Sequence, residues 1–102
     1  MKNQENNNGL GTVLRLIRKV KEMSIRELAE KMDVSANYLS EIETNKKRPS
    51  LEVLTKYSEA LGVRKSMILY FDEERAKNGY TNQKLLLEIL QQIVNIGAKE
   101  SN

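Results

Sequence analysis

The chain contains no cysteine, no histidine and no tryptophan, and only one proline among its 102 residues. Without cysteine or histidine there is no thiolate nucleophile, no imidazole general base, no zinc finger and no disulfide framework, which removes most enzyme classes together. The fourteen carboxylates form no recognisable spaced pair, and the sequence holds neither a Gly-rich phosphate loop nor a metal-ligand cluster. No catalysis, metal or cofactor is therefore expected. No apolar run approaches the roughly 18 residues of a membrane span. The stretch Met1–Asn8 is Lys, Asn, Gln and Glu rather than a basic-then-apolar leader, so the expectation is a cytoplasmic protein with no membrane partner. What is present suits one small domain with a short appendage: 39% hydrophobic residues and 30% charged, too few residues for two cores. The net charge is only +3, yet residues 1–70 hold thirteen basic and nine acidic side chains, against four and five beyond. That basic excess permits a nucleic-acid partner without demanding one.

Hydrophobic spacing predicts helices throughout. Residues 1–8 carry four Asn and no apolar residue after Met1, which predicts a disordered lead-in. Leu10, Val13, Leu14, Ile17 and Val20 recur at three- and four-residue steps and predict a first amphipathic helix. Ser24 with Glu27 forms a capping box that opens a second, whose buried stripe is Ile25, Leu28, Ala29 and Met32. Ser35 caps a third helix with Tyr38, Leu39 and Ile42 at helical spacing, and Ser50 a fourth with Leu51, Leu54, Tyr57 and Leu61, closed by Gly62. A fifth short helix is expected over Ser66–Phe71, a linker over 72–80 around Gly79, and a dense apolar helix from Thr81 to Ile96.

The second and third helices are separated by only Asp33, Val34 and Ser35, so they must cross steeply. Small Ala29 permits their close approach, Asp33 sits where a left-handed turn residue is wanted, and Val34, Leu39 and Ile42 supply the apolar lock. Together these positions define a helix-turn-helix. About sixty consecutive residues, Leu10 to Leu69, resemble the Cro and phage-repressor (Xre-like) family of helix-turn-helix regulators. The likeness rests on Leu14–Arg18, on Ser24–Ala29, on Val34 and Ser35 through Tyr38–Glu43, and on Arg48–Leu51 running on to Leu61–Val63. It implies an all-α fold, a five-helix lambda-repressor-like DNA-binding domain over 9–71 followed by an additional amphipathic helix over 81–102. It also implies a third helix that enters the major groove, a second that lies across the backbone, and dimers that read two half-sites of double-stranded DNA. Two positions where the family favours glycine are Asp33 and Asn45, both tolerant of left-handed geometry.

Carried over residue by residue, the resemblance places Ser35, Ala36, Asn37, Ser40 and Glu41 on the exposed recognition face. Asn37 can pair bidentately with adenine, and Ala36 offers apolar contact to a thymine methyl. Glu41 either accepts from a cytosine amine or serves as a solvated carboxylate that repels phosphate. Tyr38 packs through its ring, with its hydroxyl open to a phosphate. Thr44, Asn45, Lys46, Lys47 and Arg48 follow in the connection that the family lays along the sugar-phosphate backbone. Ser24, Ile25 and Arg26 meet phosphate at the start of the second helix. Arg18 and Glu43 match a family pair that forms an internal salt bridge, which is preferred to phosphate binding by Arg18.

The last helix carries more apolar residues than a solvated helix needs, so it must be buried against something. The favoured expectation is a homodimer paired through Leu86, Ile89, Leu90, Ile93 and Ile96, with docking on its own domain as the competing arrangement. The leading function is a sequence-specific regulator, a repressor at an inverted-repeat operator. The alternative is an antitoxin or adaptor whose last helix grips a partner protein, DNA binding being secondary.

Overall fold

The computed structural model describes residues 9–78 and 82–100, with side chains of the last segment from Gln83 to Ile93. The expected lead-in at 1–8, the 79–80 portion of the expected linker, Thr81 and residues 101–102 of the expected last segment, and the Ile96 side chain lie outside the described residues. The described residues form six helices in the order α1 (Leu10–Val20), α2 (Ile25–Met32), α3 (Ala36–Glu43), α4 (Leu51–Leu61), α5 (Lys65–Asn78) and α6 (Asn82–Glu100).

Their ends are written locally. Ser24, Ser35 and Ser50 each accept a hydrogen bond from the amide three residues on, at 3.0, 3.0 and 3.1 Å, and Glu27 completes the capping box by accepting from the Ser24 amide at 2.8 Å. Left-handed residues stop the helices: Glu22 (φ 56°), Asp33 (φ 58°), Asn45 (φ 65°) and Gly62 (φ 70°). Each is followed by an amide that reaches back five residues, Met23 to Arg18, Val34 to Ala29, Lys46 to Glu41 and Val63 to Ser58. This Schellman arrangement satisfies carbonyls that the helix leaves without partners. Asp33 and Asn45 adopt the geometry expected of them; Glu22 does so with no sequence signal.

The first helix is the axis of the fold and packs against α3, α4, α5 and α6. Its Val13, Leu14 and Ile17 are fully buried, Leu16 is 6% exposed, and Thr12 is buried as well. Helices on several sides explain why more of α1 is covered than the single stripe read from spacing. Around it lie Leu28, Leu39, Ile42, Tyr57, Ile68 and Phe71, all fully buried. Each such side chain contributes about 1.5–3 kcal/mol of transfer free energy. At Gly11 the approach to α3 is so close that a Cβ would fall on the Ile42 carbonyl oxygen.

The C-terminal part departs from two expectations. Helix α5 does not stop at Phe71: Asp72–Asn78, assigned by composition to a linker, continues it. Polar and charged residues there bond along the helix instead of forming a loop, Arg75 to Asp72 at 2.7 Å and Asn78 to Glu74 at 3.0 Å. Helix α6 is docked on its own domain against α1 and α5. Leu85 and Ile89 are 1% and 0% exposed within the common core, and Leu86 and Ile93 pack partly against it. Ile89 is thus turned inward and not toward a second chain, because the Leu85, Ile89, Ile93 stripe fits the open side of α1. Leu90 and Leu87 remain 43% and 60% exposed.

Candidate nucleic-acid interface

Helix α3 shows two faces. Leu39, Ile42 and Glu43 point into the body, while Ser35, Asn37 and Ser40 are exposed and Ala36, Tyr38 and Glu41 are half-buried. The helix begins at the Ser35 cap and ends in Thr44, whose hydroxyl donates to the Ser40 carbonyl at 2.9 Å. Beyond it Lys46, Lys47 and Arg48 are all exposed. At the start of α2, Ser24 and Arg26 are exposed and Ile25 is half-buried against the core. The capping box uses the amides of Ser24 and Glu27, leaving those of Ile25 and Arg26 as the remaining first-turn donors. The hydrogen bonds from the Ser24 amide and hydroxyl to Glu27 hold its carboxyl below the usual carboxylate range.

One guanidinium fixes these parts relative to each other. Arg18 of α1 donates through Nε and Nη2 to the Glu43 carboxylate at 3.0 and 2.9 Å, the fork geometry that suits a planar cation. Its Nη1 donates to the Met23 carbonyl at 2.9 Å, one residue before the α2 cap. Arg18 therefore ties the end of α3 to the entry of α2. The pair is nearly dry, with side chains 12% and 2% exposed, and the buried Tyr57 hydroxyl makes a long 3.5 Å contact to Glu43. Burial, followed by the neighbouring Glu43 carboxylate, raises the Tyr57 phenol far above its ordinary value, so it stays protonated. The preferred structural assignment of Arg18 matches this geometry.

Two of the residues expected at the DNA also make bonds within the fold. The Asn45 carboxamide accepts from the Gly11 amide at 2.8 Å and donates to Thr12 Oγ1 at 3.1 Å. It caps the start of α1, whose own N-cap Gly9 has no side chain to do so. Thr44 is likewise engaged with the last turn of α3. Spacing missed the Asn45 bonds because they span more than thirty residues; the paired glycines at 9 and 11 were the available hint. Spacing also missed a contact on the exposed side: Lys47 Nζ lies 3.2 Å from Glu41 Oε1 and 5.7 Å from the Tyr38 ring centroid. Next to it an open, polar cleft lies between the start of α1 and the loop, lined in part by Lys47, Arg48 and Arg75. Among the described residues no group of acidic side chains could hold a metal ion, and no helix is long and apolar enough to cross a membrane.

A short helix locked from behind, polar in front and flanked by cations defines a helix-turn-helix DNA-binding domain. The helix-turn-helix family model matches residues 14–67, and the chain belongs to the Xre-like (Cro/C1-type) family of DNA-binding transcriptional regulators. An immunity repressor protein of Bacillus phage phi105 is 31% identical over 88 residues, covering 82% of this chain and 61% of that protein. The transcriptional regulator ClgR of Mycobacterium tuberculosis is 39% identical over 66 residues, 65% of this chain and 59% of that protein. The chain thus spans less than two thirds of the length of either. A crystal structure of the clp gene regulator ClgR from Corynebacterium glutamicum superposes with a TM-score of 0.63 at 32% identity, covering 97% of this chain and 98% of that one.

Proposed function

We propose that the protein is a sequence-specific DNA-binding repressor that reads an inverted-repeat operator as a homodimer. The observation that carries the reading is the outward presentation of Ser35, Asn37 and Ser40 on a helix whose opposite face is locked by Arg18 and Glu43. In this reading α3 lies in the major groove with Asn37 on a base edge. Arg26, Lys46, Lys47 and Arg48 meet phosphates, and the first-turn amides of α2 add neutral donors. Asn45 and Thr44 act as positioning residues for the loop. The immunity repressor among the relatives supports repression as the sign of regulation.

For the dimer, the inward face of α6 is spoken for by its own core. We assign pairing to the side of α6 that carries Leu87 and Leu90, which keep 60% and 43% of their surface. Two recognition helices about 34 Å apart then meet successive major grooves on one face of the duplex. Selection of bound duplexes from a random pool at fixed salt tests the whole reading. It should return a palindrome with half-sites about one turn apart. Recovery of unrelated sequences would reject sequence-specific binding, and recovery of a lone half-site would reject the dimer.

A further inference from the structure

Lys47 differs from its neighbours in the basic loop. Lys46 and Arg48 join no ion pair among the described residues, whereas Lys47 is held to Glu41 at 3.2 Å. The backbone brings this about: Asn45 takes left-handed geometry, and the amides of Lys46 and Lys47 both donate to the Glu41 carbonyl, at 2.8 and 3.1 Å. The chain is thereby folded back on the last turn of α3. Lys47 then lies between the Glu41 carboxylate and the face of Tyr38, 5.7 Å from the ring centroid. Cation–π attraction and the ion pair both hold the ammonium against the exposed side of α3.

We infer that Glu41 is a specificity-determining residue that acts by withholding Lys47 from phosphate until a matching base takes its place. The inference rests on the reading of α3 as the groove-facing helix. With side chains 34% and 55% exposed, the pair is wet enough to be exchanged and not part of the folded core. On a mismatched duplex a phosphate must compete with Glu41 for the ammonium, and the carboxylate itself repels the backbone. On a duplex with cytosine at the right place, the base amine donates to Glu41. A carboxylate turned toward a base edge no longer lies against the loop, and Lys47 is released to a phosphate oxygen. One base contact thus carries one phosphate contact with it, and discrimination exceeds what the base edge alone provides.

The test is a double-mutant cycle on the full chain: wild type, Glu41→Gln, Lys47→Gln and the double variant. Each is titrated between low and moderate salt onto a random-sequence duplex and onto a duplex selected by the wild type. Thermal melts of all four variants should coincide, since both side chains reach solvent. Glu41→Gln should bind the random duplex about two- to fivefold tighter, with a salt slope steeper by about one. Lys47→Gln alone should leave the random-duplex slope unchanged, but should abolish the gain when added to Glu41→Gln. On the selected duplex Glu41→Gln should lose a cytosine preference at one position per half-site. Additive effects of the two substitutions on the random duplex would overturn the inference, since Lys47 would then be an ordinary phosphate contact and Glu41 a general repellent. If the wild type prefers no sequence at all, the groove-reading assignment fails first; tight, selective wild-type binding with an additive cycle rejects the withholding mechanism alone.

Discussion

On one side of α3, Leu39, Ile42 and Glu43 are 0%, 0% and 3% exposed; on the other, Ser35, Asn37 and Ser40 stand in solvent. The inner side is fixed by apolar packing and by a guanidinium that also holds the entry of α2. The outer side makes few bonds: the Ser35 cap, the Thr44 hydroxyl bond and the solvent-reaching Glu41–Lys47 pair. Stability and recognition are therefore assigned to different residues of one short helix. A surface that packs nothing is free to vary its chemistry, while the helix that carries it stays within the tolerance that base-edge hydrogen bonds need.

The inner side of α3 should respond most strongly to substitution. Glu43→Ala strands the Arg18 guanidinium, 12% exposed, without its carboxylate, and should cost about 3–5 kcal/mol in urea unfolding. Combining Arg18→Met with Glu43→Leu should restore most of that stability. Duplex affinity should not return with it, because the Met23 carbonyl at the entry of α2 then loses its hydrogen bond from Arg18 of α1. Gly11→Ala comes next: its Cβ meets the Ile42 carbonyl oxygen, and separation of α1 from α3 should cost about 1–3 kcal/mol by the same measurement. The outer face should respond in the opposite sense. Asn37→Ala should change stability by less than about 0.5 kcal/mol, yet relax discrimination at one operator position by about 1–3 kcal/mol.

The smallest effect concerns pH. Glu27 is held below its ordinary value of 4.5 by the Ser24 amide and then by the Ser24 hydroxyl. A carboxyl whose folded value is depressed contributes stability in full above the ordinary value and loses it as pH falls through the folded one. Thermal melts between neutral pH and acid should therefore show a slightly flatter acid limb for Glu27→Gln than for the wild type.

Much of this architecture is legible in local chemistry. Serines at 24, 35 and 50 mark three helix starts because a hydroxyl bonds an amide within the same turn, and Asp33, Asn45 and Gly62 mark helix ends because they tolerate positive φ. Contacts between distant segments are less readable. Glu22 adopts φ 56° although glutamate has no local preference for it, drawn there by the need to turn from α1 into α2. Asn45 looks like a loop residue until Gly11 and Thr12 come beside it. The charges at Asp72–Asn78 read as a linker because their partners lie along the same helix. Apolar residues on α6 announce burial but not what covers them; the open side of α1 decides that Leu85 and Ile89 go inward. On α3, family resemblance places the recognition residues, but the Glu41–Lys47 pair emerges only once Asn45 folds the loop back.

Titration of isotope-labelled protein with a selected duplex, followed by amide NMR, tests the division of labour on α3 most directly. The largest shifts are expected at Ile25 and Arg26, along Ser35 to Glu41 and at Lys46 to Arg48, with α1 core amides little changed. Shifts concentrated on the leucines of α6, with Asn37 and Ser40 unmoved, would contradict that division.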